Sequence, residues 1–193
     1  MYQIILASGS PRRKEILEQA NVVFQIIPSQ KEEIVSTTQP DDVVKELSLM
    51  KASDIAEKMP VNSIIIGADT VVANAGNILG KPKDELEAVD MIMNLQGHSH
   101  TVHTGVCIIV KHEDRTLDIR QFSEVTKVHI ADISKEEAMT YILSGEAMDK
   151  AGAYAIQGKF AKYVQGIEGD YYNVVGFPIS RFRIEMKRLG FSI

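Results

Sequence analysis

Apolar positions along the chain switch between strand-like and helix-like spacing, and each switch marks an element. Gln3 to Ala7 reads as a short buried strand, and Ile16, Leu17 and Ala20 then share one face of a helix beginning near Pro11. Phe24 to Ile27 returns to strand character. The polar stretch from Ser29 to Pro40, which holds the acidic pair Glu32 and Glu33, predicts a loop able to stay mobile without a ligand. Val43, Leu47 and Met50 follow helical spacing from about Asp41 to Lys58, and Ser63 to Val72 is an apolar strand interrupted by Gly67 and Asp69. After a turn at Ala75-Gly76-Asn77, the residues Leu86, Val89 and Met93 predict another helix.

Two long antiparallel strands, His100 to Lys111 and Thr116 to Ile130, follow, joined at Glu113-Asp114. Ser134 with Glu137 fits a capping box ahead of Ala138, Met139 and Ile142. The Gly-rich segment from Ala151 to Gly169 predicts strands and tight turns. Ile179, Phe182, Met186 and Leu189 repeat at helical intervals behind Pro178. This mixture, without internal repeats or a Pro/Gly/Ser-rich linker, predicts an α/β or α+β fold built as one domain over residues 1–193.

Composition narrows the class. At 193 residues with 45% hydrophobic and 24% charged content, the chain can bury one sizeable core or two lobes. The lone cysteine, Cys107, lies in the apolar run Val106 to Val110 and reads as a small buried hydrophobe, which fits a reducing compartment. Met1 to Leu6 shows no basic leader followed by a small-residue cleavage site, so no secretory signal is expected. No stretch approaches the roughly 18 uninterrupted apolar residues of a membrane span. A formal net charge of −5 opposes binding to a long polyanion such as nucleic acid, whereas a few well-placed cations suffice for a small anion.

Ser8-Gly9-Ser10-Pro11-Arg12-Arg13-Lys14 is the most informative segment. A helix start explains Ser10 at the N-cap and Pro11 in the first turn. It does not explain three cations beside the positive end of the helix dipole, where each costs some tenths of a kcal/mol. A phosphate would compensate, accepting from first-turn N–H groups and from the Ser8 and Ser10 hydroxyls while arginine grips it bidentately; Glu15 and Glu18 offer a partial, local neutralisation instead. The segment has neither Walker A spacing nor a dinucleotide fingerprint.

Ile64-Ile65-Ile66-Gly67-Ala68-Asp69 sets a carboxylate at the end of a strongly apolar strand, where open α/β sheets gather ligands. Asp69 reads equally as a catalytic acid, a metal ligand or a turn residue. Gly80-Lys81-Pro82-Lys83 adds cations at another helix start, and Asp84 suits the dipole there. His98, His100 and His103 do not make a zinc site, since strand alternation splits them between faces and no cysteine completes the set.

Leu6 to Arg13, Gly67-Ala68-Asp69-Thr70-Val71-Val72, Gly80-Lys81-Pro82, Asp149 to Gly158 and Gly169 to Pro178, with Lys51-Ala52, together resemble the Maf family over essentially the whole chain. The resemblance implies an elongated, two-lobed mixed-sheet α/β fold with a central cleft, like that of inosine triphosphate pyrophosphatases. It implies hydrolysis of a nucleoside triphosphate between its α and β phosphates with a divalent metal, Mg²⁺ or Mn²⁺, in a cytoplasmic and often dimeric protein, so that a homodimer is expected; the charge and hydropathy add that neither nucleic acid nor membrane is a partner. Family members have been linked to removal of non-standard nucleotides and to arrest of septum formation. Arg12, Arg13, Lys51 and Lys81, with Ser8 and Ser10, fit a polyphosphate tail. Glu33 and Asp69 fit as metal ligands, and Asp69 matches the family's proposed proton acceptor. Arg12, Thr70 and Gln157 occupy the family's specificity positions, in a combination resembling the branch acting on dTTP and UTP. A Gln amide can match the carbonyl and N3–H of uracil or thymine. Ala155 departs from the glycine of many relatives. The alternatives are a purine-directed enzyme acting on ITP, XTP or 7-methyl-GTP, and a non-catalytic nucleotide-binding regulator of septum formation.

Overall fold

The first apolar run forms β1 (Gln3–Leu6) in the computed structural model, which describes residues 2–193; Met1, the first residue of the expected leaderless start, lies outside them. The remaining elements are α1 (Pro11–Gln19), β2 (Gln25–Ile26), α2 (Pro40–Lys58), β3 (Ser63–Asn74), β4 (Asn77–Leu79), α3 (Glu85–Leu95), β5 (Ser99–Lys111), β6 (Leu117–Ile130), α4 (Lys135–Ile142), β7 (Val164–Glu168), α5 (Tyr171–Val175) and α6 (Ile179–Arg188). Among the described residues the strands make one seven-stranded sheet in the order β2-β1-β3-β5-β6-β7, with β4 on β3. β1 pairs in parallel with β2 and β3, whereas β4 on β3 and β7 on β6 are antiparallel. The fold is mixed α/β.

The chain divides into two compact units that are discontinuous in sequence. The first holds the chain up to Asp69, Thr104–Glu124 and Gly176–Ile193; the second holds Thr70–His103 and Val125–Val175. Each contains its own core.

In the first unit, Ile5, Ala7, Ala52, Ile55, Ala56, Ile65, Cys107 and Ile109 pack together, bringing α2 onto β1, β3 and β5. Burying each large aliphatic side chain is worth about 1.5–3 kcal/mol, so this cluster fixes α2 in place. Gly67 permits the approach: a Cβ there would stand 2.7 Å from the Ala52 backbone nitrogen. α2 carries Asp41 and Asp42 in its first turn and Lys58 in its last, the arrangement that complements a helix dipole. Cys107 is fully buried, and burial pushes its thiol up to about 12, which leaves it protonated and inert.

In the second unit, Val72, Val89, Ile92, Leu95, Val102, Val128, Ile142 and Tyr154 belong to a larger cluster. Phe160 lies at its aromatic centre, with ring centroids 5.0 Å from Tyr141, 4.9 Å from Tyr154 and 5.3 Å from Tyr163. The expected capping box is present at α4: Ser134 Oγ accepts from the Glu137 N–H, and the Glu137 carboxylate accepts from the Ser134 N–H. Asp84 caps α3 by accepting from the Glu87 N–H at 2.8 Å.

Several expectations change. Leu86 is 71% exposed, and Ala88, Val89, Met91, Ile92 and Leu95 form the buried face of α3 instead. The Gly-rich segment yields a single strand, β7; the rest is two 3₁₀ turns, Ala151–Ala153 and Lys159–Tyr163. Gly152 and Ala153 both adopt positive φ, 66° and 60°, which ends extended backbone there. The short helix α5 had no periodic signal. His100 and His103 lie in β5 and are buried: His100 Nε2 shares a hydrogen bond with the Tyr154 hydroxyl at 2.7 Å, and His103 Nε2 meets Thr101 Oγ1 at 2.9 Å.

Candidate active site

The end of β1 leads directly into the cationic segment. The Ala7 N–H donates to the Ile66 carbonyl at 2.8 Å, the last rung beside β3, after which the chain turns through Ser8 into α1. Ser10 holds the N-cap position and Pro11 the first turn, but the Ser10 hydroxyl makes no capping bond and the first turn contains no acidic residue. The Ser10 N–H instead donates to Ser8 Oγ at 3.3 Å. α1 therefore starts with Arg12, Arg13 and Lys14 at the positive end of its dipole without an acidic residue in its first turn, and Lys14 is offset one turn on by Glu18 at 3.6 Å.

The two arginines differ sharply. Arg12 is half-buried, whereas Arg13 is 8% exposed and held on three sides at 2.9 Å: Nε donates to the Gly176 carbonyl, and Nη1 donates to the Ala68 carbonyl and to Ser8 Oγ. Burial lowers the Arg13 pKa and the nearby Asp69 opposes that shift; the guanidinium stays charged. Arg13 thus ties the loop after β1, the middle of β3 and the start of the C-terminal segment into one block.

Asp69 lies within β3, inside the span Ser63 to Val72 that the apolar pattern predicts, rather than at the end of the strand. Parallel pairing with β1 stops at Ile66, while β3 itself continues to Asn74. The carboxylate therefore emerges just past the point where β1 has ended, the same topological position that a strand end supplies. Its side chain is only 14% exposed, and its Oδ1 lies 2.5 Å from Lys51 Nζ. The same ammonium lies 2.7 Å from Oε1 of Glu33, whose side chain is 54% exposed. Lys51 comes from α2, held there by the core beneath it.

Glu33 sits midway along the irregular segment 27–39. That segment is pinned on both sides: Ser29 Oγ donates to Asp54 at 2.7 Å, and the Ser36 N–H donates to Glu46 at 2.7 Å. These anchors hold a stretch whose polar composition predicts a mobile loop. Ser and carboxylate partners spaced 10 or 25 positions apart leave no local pattern. The first unit thus assembles Ser8, Arg12, Arg13, Glu33, Lys51 and Asp69 from four stretches of chain.

The second unit carries Thr70, Lys81 and Gln157. Thr70 follows Asp69 along β3 and is half-buried, whereas Lys81 and Gln157 are exposed. The Gly80 carbonyl accepts from the Gly152 N–H at 3.0 Å, which joins the loop carrying Lys81 to the turn leading to Gln157. Gln157 lies in the turn closed by the Gly158 N–H on the Ala155 carbonyl at 3.1 Å.

The chain is thus a mixed α/β protein with a cationic helix start and a carboxylate-ammonium-carboxylate cluster beside the end of a parallel strand. The chain belongs to the Maf family, whose model, described as Maf-like protein, matches residues 3–189. It is 53% identical over 193 residues to the dTTP/UTP pyrophosphatase of Lachnoclostridium phytofermentans, covering 100% of this chain and 98% of that one. To the dTTP/UTP pyrophosphatase of Geobacillus sp. strain WCH70 it is 51% identical over 191 residues, covering 98% and 100%. Among solved structures, the Staphylococcus aureus Ham1 protein shares the fold with a TM-score of 0.52 at 13% identity, covering 97% of this chain and 99% of that one.

Proposed function

We propose that this chain is a nucleoside triphosphate pyrophosphatase that hydrolyses dTTP and UTP to the monophosphate and pyrophosphate with the help of a divalent cation. The observation that carries the reading is the largely buried Asp69, held 2.5 Å from Lys51 with Glu33 on the same ammonium. The full-length relatives bearing that activity support the substrate class.

In this reading Ser8, Ser10, Arg12, Lys51 and Lys81 attract and orient the polyphosphate, and Arg13 adds its fixed positive charge while holding the loop after β1. Asp69 is the base. As the bond from water oxygen to the α phosphorus forms, the bridge to the β phosphorus breaks, pyrophosphate leaves, and the water proton passes to the Asp69 carboxylate. Thr70 and Gln157 read the pyrimidine, the Gln amide offering one donor and one acceptor edge.

Two carboxylates already converging on one cation fit a divalent ion. Among the described residues no group of three His, Cys, Asp or Glu side chains forms, so Asp69 and Glu33 would share the ion with phosphate and water oxygens, the usual way Mg²⁺ is held beside nucleotides. When bound, the ion neutralises phosphate charge and lowers the pKa of coordinated water. We further propose a homodimer working in the cytoplasm without nucleic acid; no helix among the described residues is long and apolar enough to cross a membrane.

The test is pyrophosphate release from dTTP, UTP, CTP, ITP and 7-methyl-GTP with Mg²⁺, comparing wild type with Asp69→Asn. Release from dTTP and UTP, lowered about 10²–10⁴-fold in the variant, is the expected result. Preference for ITP or 7-methyl-GTP would move the specificity to purines, and binding without any release would make the protein a nucleotide-binding regulator.

A further inference from the structure

Lys51 stands where a divalent ion would have to stand. Its Nζ lies 2.5 Å from Asp69 Oδ1 and 2.7 Å from Glu33 Oε1, and its side chain is only 15% exposed. The two carboxylates proposed to hold metal are thus already bound to a cation that belongs to the chain. With the ammonium between them their joint charge is −1 rather than −2, and an incoming ion would meet a positive group at close range in a partly desolvated place.

Lysine carries its charge on a flexible four-carbon stem, so this cation can leave. A triphosphate tail, with several negative charges beside Arg12 and Arg13, is the partner able to draw it away. Glu33 is the more exposed half of the pair, on an irregular segment fixed at Ser29 and Ser36. Asp69 is the more buried half, on β3.

We infer that Lys51 is a place-holding cation, which keeps Asp69 and Glu33 from binding a divalent ion until the nucleotide's phosphates draw the ammonium away. Metal and nucleotide therefore load together, each raising the affinity of the other through this one side chain. The inference rests on the pyrophosphatase reading and adds an order of assembly to it. It also protects the enzyme from holding metal without substrate.

Mn²⁺ binding, followed by electron paramagnetic resonance, separates the cases without any turnover. Wild type, Lys51→Met and Lys51→Gln, each checked for native circular dichroism, are titrated with Mn²⁺ alone and with thymidine α,β-methylene triphosphate. Without nucleotide, both variants are expected to bind Mn²⁺ at least about tenfold more tightly than wild type, and Asp69→Asn added to Lys51→Met abolishes the gain. The analogue raises Mn²⁺ affinity about tenfold or more in wild type and by less than about threefold in the variants. Equal Mn²⁺ affinity of wild type and both variants without nucleotide would overturn the inference while leaving the pyrophosphatase reading intact. Failure of wild type to bind Mn²⁺ even with the analogue would defeat that reading and the place-holder with it.

Discussion

Replacing Arg13 with alanine is expected to cost stability before it costs anything else. The side chain is 8% exposed and donates three hydrogen bonds of 2.9 Å, to the carbonyls of Gly176 and Ala68 and to Ser8 Oγ. Hydrogen bonds from a charged donor contribute about 1.5–3 kcal/mol each, but they are not additive, and water can enter part of the space left behind. Two buried carbonyls losing their donor, the lost packing of the side-chain stem and the removal of a cation beside Asp69 together make about 3–5 kcal/mol reasonable. In a chain of this length that is a fall in Tm on the order of 10 °C. Arg13→Lys keeps the charge but cannot reach both carbonyls, and is expected to lose about half as much. Arg12→Ala is the control: a half-buried neighbour on the same turn, expected to change stability by less than about 1 kcal/mol while lowering activity. Urea unfolding followed by circular dichroism, alongside pyrophosphate release, measures both quantities. An Arg13→Ala protein as stable as wild type would refute the reasoning and return Arg13 to a purely ligand-facing role.

Two further outcomes follow from the cores. His100 is buried and its pKa is lowered to about 4, first by burial and then by the nearby His129. Its neutral form is thus favoured in the fold, so the unfolded chain takes up a proton below about pH 6.5 that the folded chain refuses until about pH 4. Stability falls across that window as pH drops, by about 2 kcal/mol at pH 5. His100→Gln, less stable at pH 7, is expected to show a shallower dependence in urea midpoints at pH 5 and 7; parallel curves would exclude His100 as the source. Gly67→Ala places a Cβ 2.7 Å from the Ala52 nitrogen, so α2 must shift. A loss of at least about 2 kcal/mol is expected, with reduced activity because Lys51 rides on that helix; a crystal structure with α2 unmoved and stability unchanged would contradict it.

Much of the chain's local structure was legible because its causes are local. The Pro11 helix start, the Ser134 and Glu137 capping box and the burial of Cys107 each depend on neighbours within a few positions or on an unbroken apolar run. The family motifs likewise brought out Ser8, Arg12, Asp69 and Gln157 as site candidates before any geometry was known.

What the tertiary structure decided is which similar residues do different work. Arg12 and Arg13 are adjacent and chemically identical, yet Arg13 is committed to carbonyls 55 and 163 positions away, a distinction no window of sequence contains. Leu86 fits the helical period and still points outward, because the face of α3 that meets the second core was set by Val89, Ile92 and Leu95. Asp69 and Glu33 meet through Lys51 only because α2 packs over Gly67, bringing a helix side chain, a loop carboxylate and a strand carboxylate to one point. Sequence by itself determined the longer elements and the inventory of charges, since backbone preference and hydrophobic period act over a few residues; the short helix α5, the 3₁₀ turns and the pairing of those charges depended on long-range packing, which sets distances between parts of the chain that are far apart along it.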